Sequence, residues 1–449
     1  GLTYTFNLRD DAKWSDGSAI TAKDFEYSWK RTLDPKTGST YAFMVAWVKG
    51  GAAYNSGKGA VEDVAVKAID DKTLEVKLET AKPYFLDQMA FPVYFPLKKE
   101  FVEKQGKQFG ADGDKILSNG PFVLSKWEHE VNVELKKNDS YWDKDKVKLN
   151  TVNFLVVKDQ GAKENLYQSG QIDRFGLVRE QVDTFKDSPE FSRQNDLSTG
   201  YFLFNENRKI FTNKKIRLAM TYAVNADQYA DIIYHDGSTG ANGLIPPGTR
   251  GLNGEFRTEN GDVMKRSEMV SKAKQLLQEG LQELGMKEFP AVKLLMSDTD
   301  SAKKGAEFVK EEWRKNLGIN LDIENVPGKL RLKRTTERDY DVVFTNWIGD
   351  YNDPMTFLDM WITKGDQNKG DWSNAKYDEL VKSAQTEPDA KKRMEALYQA
   401  EKILMDEMPI GPVYFSASSS VTRPYVKNYV SRNFGPEMDL KTTYIEGKK

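Results

Sequence analysis

With 449 residues, this chain is too long for one ordinary hydrophobic core and is expected to fold as two or three domains. Its 66 basic and 68 acidic residues give no reason to expect nucleic acid as a partner, and no apolar run approaches the roughly 18 residues needed to cross a bilayer. Cysteine is absent and the two histidines, His129 and His235, lie far apart, so disulfide staples, thiolate or multi-His metal sites and a Ser-His-Asp triad drop out, and neither a metal nor a cofactor is expected. Nine Trp and twenty Tyr exceed what a minimal core needs. Surplus aromatics often line a binding cleft, although packing in the core is their commoner use.

In chain order, residues 1–8 read as a strand with no leader ahead of it, as though the chain were cut from something longer. The turn at Arg9–Gly17 follows, and Thr21 with Asp24 then opens a helix close to a capping box. Phe25 and Trp29 share one face of that helix and read as core. An aromatic stretch at 40–47 includes Tyr41 and Trp47. The runs 64–68 and 74–78 alternate with period two as a hairpin. Pro83, Pro92 and Pro96 exclude a long helix after it. Ser118-Asn-Gly-Pro-Phe122 feeds a strand pair at 122–127 and 131–135, which makes 1–127 an α+β unit.

Further on come the polar, aromatic loop 138–142, a strand at 152–157, a short helix at 164–169, a strand at 201–204 closed by Asn205, and a helix at 216–224. The segment 235–248, rich in Gly and Pro, suggests a domain boundary near 231. Beyond it helices at 267–284 and 303–316 alternate with strands at 292–296, 319–325 and 341–347. This is the pattern of a three-layer α/β domain with a largely parallel sheet. A helix over 378–404 and a strand at 413–418, which carries Ser416, complete the order.

The stretch Asp341–Pro354 concentrates the chemistry. A short strand, Val342-Val343-Phe344, runs through Thr345, Asn346, Trp347 and Ile348 and breaks at Gly349, leaving Asp350 just past a strand end, where ligands bind in such sheets. A carboxylate there suits an ammonium group, with Trp347 and Tyr351 adding apolar and cation–π contact. Equally, Asp350 and Asp353 could simply form turns.

Three motifs, in order and over essentially the whole chain, resemble those of the oligopeptide-binding (OppA-like) extracellular solute-binding proteins of ABC importers, family 5. The first is Leu2–Arg9 with Trp14-Ser-Asp-Gly17 and Thr21–Phe25. The second is Ser118–Phe122 with Asn138–Trp142, and the third is Trp347–Pro354. The resemblance implies an α/β, two-lobed periplasmic-binding-protein fold with a hinge and an extra α+β subdomain in lobe I, its N-terminal segment missing here. Lobe I would comprise the subdomain 1–127 and a sheet domain of 128–230 plus 418–449, and lobe II would be 231–417. It further implies a monomer that encloses an extended peptide, receives its α-ammonium on Asp350, and offers backbone at Asn346, Trp347, Ile348 and Gly349. Tyr351, Phe344, Asn205, Tyr201, Tyr41 and Ser416 would line the cleft. The expected partners are the oligopeptide and the membrane permease and ATPase of an importer. The expected location is extracytoplasmic, as a surface lipoprotein or in a periplasm.

Phe344 departs from the pattern: the best-known enteric member has a basic residue six positions before the cleft aspartate, where it pairs with the carboxylate of a short peptide. The charge run Lys329, Arg331, Lys333, Arg334 reads first as a solvated face and second as a source of such a residue. Rival readings are a dedicated ligand on the same fold, including a signal peptide, a muropeptide, or a sugar stacked on Tyr41, Trp47, Trp347 and Trp361. A remoter one is a hydrolase using the carboxylates of Asp350 and Asp353.

Overall fold

A computed structural model describes residues 1–435 and 438–448, and its residues cluster into two compact units. The first holds Gly1–Asp173, Arg423–Arg432 and the described part of 436–449; the second holds Arg174–Thr422 and Asn433–Gly435. The expected limits at 127/128, 230/231 and 417/418 fall inside a strand, a helix and another strand respectively, whereas the units part at 173/174 and 422/423. Loop-forming composition marks where a chain can turn, not where hydrogen-bonded strands stop.

In the first unit, β1 (Thr3–Asn7), β2 (Val66–Ala68) and β3 (Thr73–Lys77) form an antiparallel sheet in the order β1-β3-β2. A second sheet joins β4 (Phe122–Glu128), β5 (Asn132–Lys137) and β6 (Thr151–Leu155) in sequence order. The helix Ala22–Leu33 starts as its capping pair requires, with the Asp24 carboxylate accepting the Thr21 backbone N–H at 2.9 Å and the Trp14 indole N–H at 3.2 Å. Trp29, on that helix, is buried and donates to the Tyr94 carbonyl. The C-terminal segment folds onto the end of this unit: Arg423 lies 4.1 Å over the Tyr167 ring, and the Tyr425 hydroxyl donates to Asp173.

The second unit is built on one seven-stranded sheet. Its strands are β7 (Arg174–Gly176), β8 (Phe191–Phe204), β9 (Thr239–Gly240), β10 (Lys293–Ser297), β11 (Asp322–Val326), β12 (Val342–Ile348) and β13 (Ile410–Thr422). The order is β11-β10-β12-β8-β13-β7, with β9 on β13. Only β11, β10 and β12 run parallel; β12–β8, β8–β13, β13–β7 and β13–β9 are antiparallel. The sheet is thus mixed rather than largely parallel, because the long strands β8 and β13 pair with each other. The expected helix over 378–404 is two, Ala375–Thr386 and Ala390–Glu407. Pro388 has no N–H to continue the first, and Asp389 caps the second through the Lys392 N–H at 2.9 Å.

β8 and β13 carry two register shifts, at Pro412/Tyr414 and at Phe415/Ala417. Pro412 cannot donate to the ladder, which favours an irregularity beside it. The Ala417 N–H, next to the second shift, is taken up by Ser238 Oγ at 3.0 Å. At Gly200 the Tyr414 ring lies directly across the neighbouring strand, where a Cβ would meet it at 2.0 Å, so no larger residue fits there without displacing the ring. Beneath the sheet Phe202, Trp313, Phe344 and Tyr229 form an aromatic core with ring centroids 5.0–5.6 Å apart.

The end of β8 supplies a titration. Burial pushes the Glu206 carboxyl up to about 7, against the favourable Arg217 guanidinium 3.4 Å away, with Glu407 and Asp371 adding to the rise. Between the ordinary carboxylate value and 7 the folded protein keeps a proton that the unfolded chain has released. Stability from this group is therefore complete at acid pH and lost as pH rises through 7. We expect Glu206→Gln to match the parent near pH 4.5 and to exceed it at pH 8 by about 1–3 kcal/mol in urea unfolding.

Candidate functional site

The site is set by what β12 lacks. β12 pairs with β8 along its whole length, from Val342 opposite Phe204 to Ile348 opposite Ser198. On its other side β10 pairs only with Val342 and Val343. From Phe344 to Ile348 that edge has no neighbouring strand among the described residues. The first three residues of β12 are buried, and from Thr345 onward half-buried and exposed residues alternate, as in a strand leaving the core.

The strand then turns tightly. The Gly349 N–H donates to the Leu197 carbonyl at 2.7 Å and the Asp350 N–H to Thr356 Oγ1 at 3.1 Å. This holds Asp350, half-buried, at the strand's end. Trp347, three residues earlier, has a buried indole N–H without a hydrogen-bond partner among the described residues, a donor in want of an acceptor. Tyr351, next to Asp350 in sequence, is buried.

Asp353 has a different task. It is 2% exposed, forms a two-pronged ion pair with Arg393 at 2.9 and 2.7 Å, and accepts the Met355 N–H. A carboxylate committed to two charge-assisted bonds in this way holds the turn. Trp361, a candidate sugar platform, is likewise buried and donates to the Phe357 carbonyl.

Of the other sequence candidates, Asn346, Trp347, Ile348, Gly349, Asp350 and Tyr351 lie together along this strand and turn. Three others are buried within the second unit. Phe344 is on the buried part of β12 against Phe202, Tyr229 and Tyr414. Tyr201 packs edge-on against Trp361 at 5.7 Å and is 3% exposed. Asn205 gives its amide to the Arg338 and Tyr340 carbonyls at 3.1 and 2.7 Å, holding the approach to β12. Tyr41 sits in the first unit, in an aromatic cluster with Phe43 and Phe91. Ser416 lies at the second register shift of β13, where its hydroxyl reaches Asp196 at 3.4 Å and Ser418 joins it at 3.1 Å. Burial raises the Asp196 carboxyl above its ordinary value, and the Ser418, Gln194 and Ser416 hydrogen bonds pull against that. Sequence reading missed Asp196, which stands in a polar run with no motif around it.

Sequence reading also left Arg331 undecided. In the helix Gly328–Thr336, Lys329 and Lys333 are exposed, and Arg334 is paired with Glu324 and Asp339. Arg331 turns inward to the fork between β10 and β12, donating from Nε to Ser297 Oγ at 3.0 Å and from Nη1 to Thr345 Oγ1 at 2.7 Å.

Residues 1–369 match the family model described as "Bacterial extracellular solute-binding proteins, family 5 Middle". The chain is 37% identical over 440 residues to the dipeptide-binding protein DppE of Bacillus subtilis, covering 98% of this chain and 80% of that one. It is 35% identical over 455 residues to the oligopeptide-binding protein OppA of the same organism, covering 99% and 82%. Among solved structures, the substrate-binding domain of an oligopeptide ABC transporter from Bacillus anthracis superposes with a TM-score of 0.91 at 42% identity, covering 99% of this chain and 88% of that one. Listeria monocytogenes OppA bound to peptide gives 0.89 at 37%, covering 99% and 87%.

Proposed function

This chain belongs to the bacterial extracellular solute-binding proteins of family 5, and from that premise we propose that it captures extended oligopeptides for an ABC importer. The observation that carries this reading is the unpaired edge of β12 from Phe344 to Ile348, ending at Asp350. A peptide laid along that edge as an added strand gains main-chain hydrogen bonds whatever its sequence. Asp350 receives the α-ammonium, the one cationic group common to all free peptides, and Trp347 supplies apolar and cation–π contact beside it. Exposed positions along the strand leave room for water around varied side chains.

Capture by closure needs a flexible crossing, and the two register shifts between β8 and β13 are where the sheet can bend. We place the hinge there, with peptide-loaded protein handing its cargo to a permease and ATPase. The protein works as a monomer outside the cytoplasm, tethered as a lipoprotein or free in a periplasm. It binds without catalysis: bound peptides leave as they arrived.

Native mass spectrometry of the purified protein, followed by denaturing release and sequencing, tests the reading. The expected result is one equivalent of short peptides of mixed sequence, recovered intact. A single defined species would indicate a dedicated signal or cell-wall peptide instead. An empty protein whose melting temperature does not rise with added peptides would overturn peptide binding altogether.

A further inference from the structure

Arg331 is a half-buried guanidinium without a carboxylate: no Asp or Glu lies within ion-pair distance of it among the described residues. Its neighbour Arg334 shows how the same helix normally settles such a charge, with Glu324 on one side and Asp339 on the other. Arg331 instead has two neutral hydroxyls, Ser297 Oγ at the end of β10 and Thr345 Oγ1 on β12. These two bonds fix its plane and use Nε and Nη1, leaving Nη2 with no partner among the described residues. Half-buried cations are costly unless paired, so a group held this way is suited to an anion supplied from outside. Its position is informative as well: it occupies the fork where β10 leaves β12, at the start of the unpaired edge that finishes at Asp350.

We propose that Arg331 receives a carboxylate of the bound peptide, and so makes this site selective for ligands that carry an ammonium at one end of the β12 edge and an acid at the other. This deepens the peptide-binding reading above and rests on it. β12 stays extended from Thr345 to Ile348, about 10 Å at about 3.4 Å per residue, before the turn that holds Asp350, so the edge between the two charges suits a short peptide of a few residues. The acid can be the C-terminal carboxylate of such a peptide or an Asp or Glu side chain at the matching position of a longer one. The fork is built by Arg331 from the helix rather than by a basic residue at position 344, where Phe344 is committed to the core.

The test is isothermal titration of the parent protein, Arg331→Gln and Arg331→Lys with tri-, tetra- and penta-alanine, each as free acid and C-terminal amide, and with Ala-Ala-Glu-Ala-Ala amide. The parent is expected to bind at least one free acid about tenfold or more tighter than its amide, as charge-assisted hydrogen bonds warrant. Arg331→Gln should bring that acid down to the affinity of the amide, leave the amide unchanged, and keep the parent melting temperature within a few degrees. Arg331→Lys should recover part of the difference. Preference for the short free acids assigns the site to the C-terminus; preference confined to the Glu-bearing amide assigns it to a side chain. Equal binding of acids, amides and the Glu peptide by the parent would overturn the inference alone. So would an equal loss for acids and amides in Arg331→Gln, which would mark Arg331 as a strut of the fork. If the parent binds none of these peptides, the peptide reading falls and this inference with it.

Discussion

Glu401→Ala lowers the unfolding free energy of this protein by about 3–5 kcal/mol, the usual cost of removing one partner from a buried charge pair. Glu401 is 0% exposed in the helix Ala390–Glu407, and its carboxylate gathers a whole loop. Oε1 accepts the backbone N–H groups of Leu244 and Ile245, each at 3.0 Å, and a guanidinium N–H of Arg257; Oε2 accepts the Asn260 amide at 2.7 Å. Arg257 in turn holds the Ile245 and Gly261 carbonyls at 3.1 and 2.6 Å. Alanine leaves two buried N–H donors and a guanidinium without their acceptor. Urea unfolding at pH 7 measures the loss, and a drop in melting temperature on the order of 10 °C accompanies it for a unit this large. Glu401→Gln, which keeps shape and one acceptor oxygen but loses the charge, should fall between the two. A loss under about 1 kcal/mol for alanine would mean that the loop 241–261 is anchored by something else.

Asp350→Asn weakens the binding of peptides with a free α-ammonium by about 10- to 100-fold, in line with roughly 1.5–3 kcal/mol for a hydrogen bond to a charged group. The change is nearly isosteric and leaves the backbone bond from Asp350 to Thr356 in place, so the strand and turn persist. What separates an ammonium receptor from a structural residue is the peptide's own chemistry. N-acetylated peptides should bind the parent protein as weakly as free peptides bind the variant, and should not distinguish the two proteins. Titration of both peptides into both proteins closes this cycle. If acetylated and free peptides lose affinity alike in Asp350→Asn, the aspartate shapes the turn and the ammonium is received elsewhere. The same titrations over pH give a second check. An ammonium site depends on charge, whereas main-chain pairing along β12 does not.

Part of this was legible in the residues themselves. Alternation of apolar and polar positions located the hairpin of β2 and β3, the pair β4 and β5, and the strands β10, β11 and β12 with the helix Asp300–Leu317, but not the helix Gly328–Thr336 between β11 and β12. The capping pair Thr21–Asp24 marked a helix start because its hydrogen bonds are local, between residues three apart. The break at Gly349 placed Asp350 beyond a strand end for the same reason: a strand, its terminating glycine and the loop after it are contiguous, and their geometry follows from neighbouring φ and ψ preferences.

What sequence could not decide are properties that depend on partners distant in the chain. Sequence left Asp350 and Asp353 open as a pair or as two turn residues; that Asp353 is held in an ion pair comes from Arg393, forty positions away. Phe344 and Asn346 are two residues apart on one strand, yet the first lies in the aromatic core and the second in the open, because the strand leaves the core between them. The unpaired edge of β12 exists only because β10 diverges after two residues of pairing, and no local pattern records a strand that stops short. Arg331 and Arg334 have the same side chain, on one helix, one turn apart. Local chemistry cannot tell them apart; the carboxylates around Arg334, and the two hydroxyls at the fork around Arg331, do.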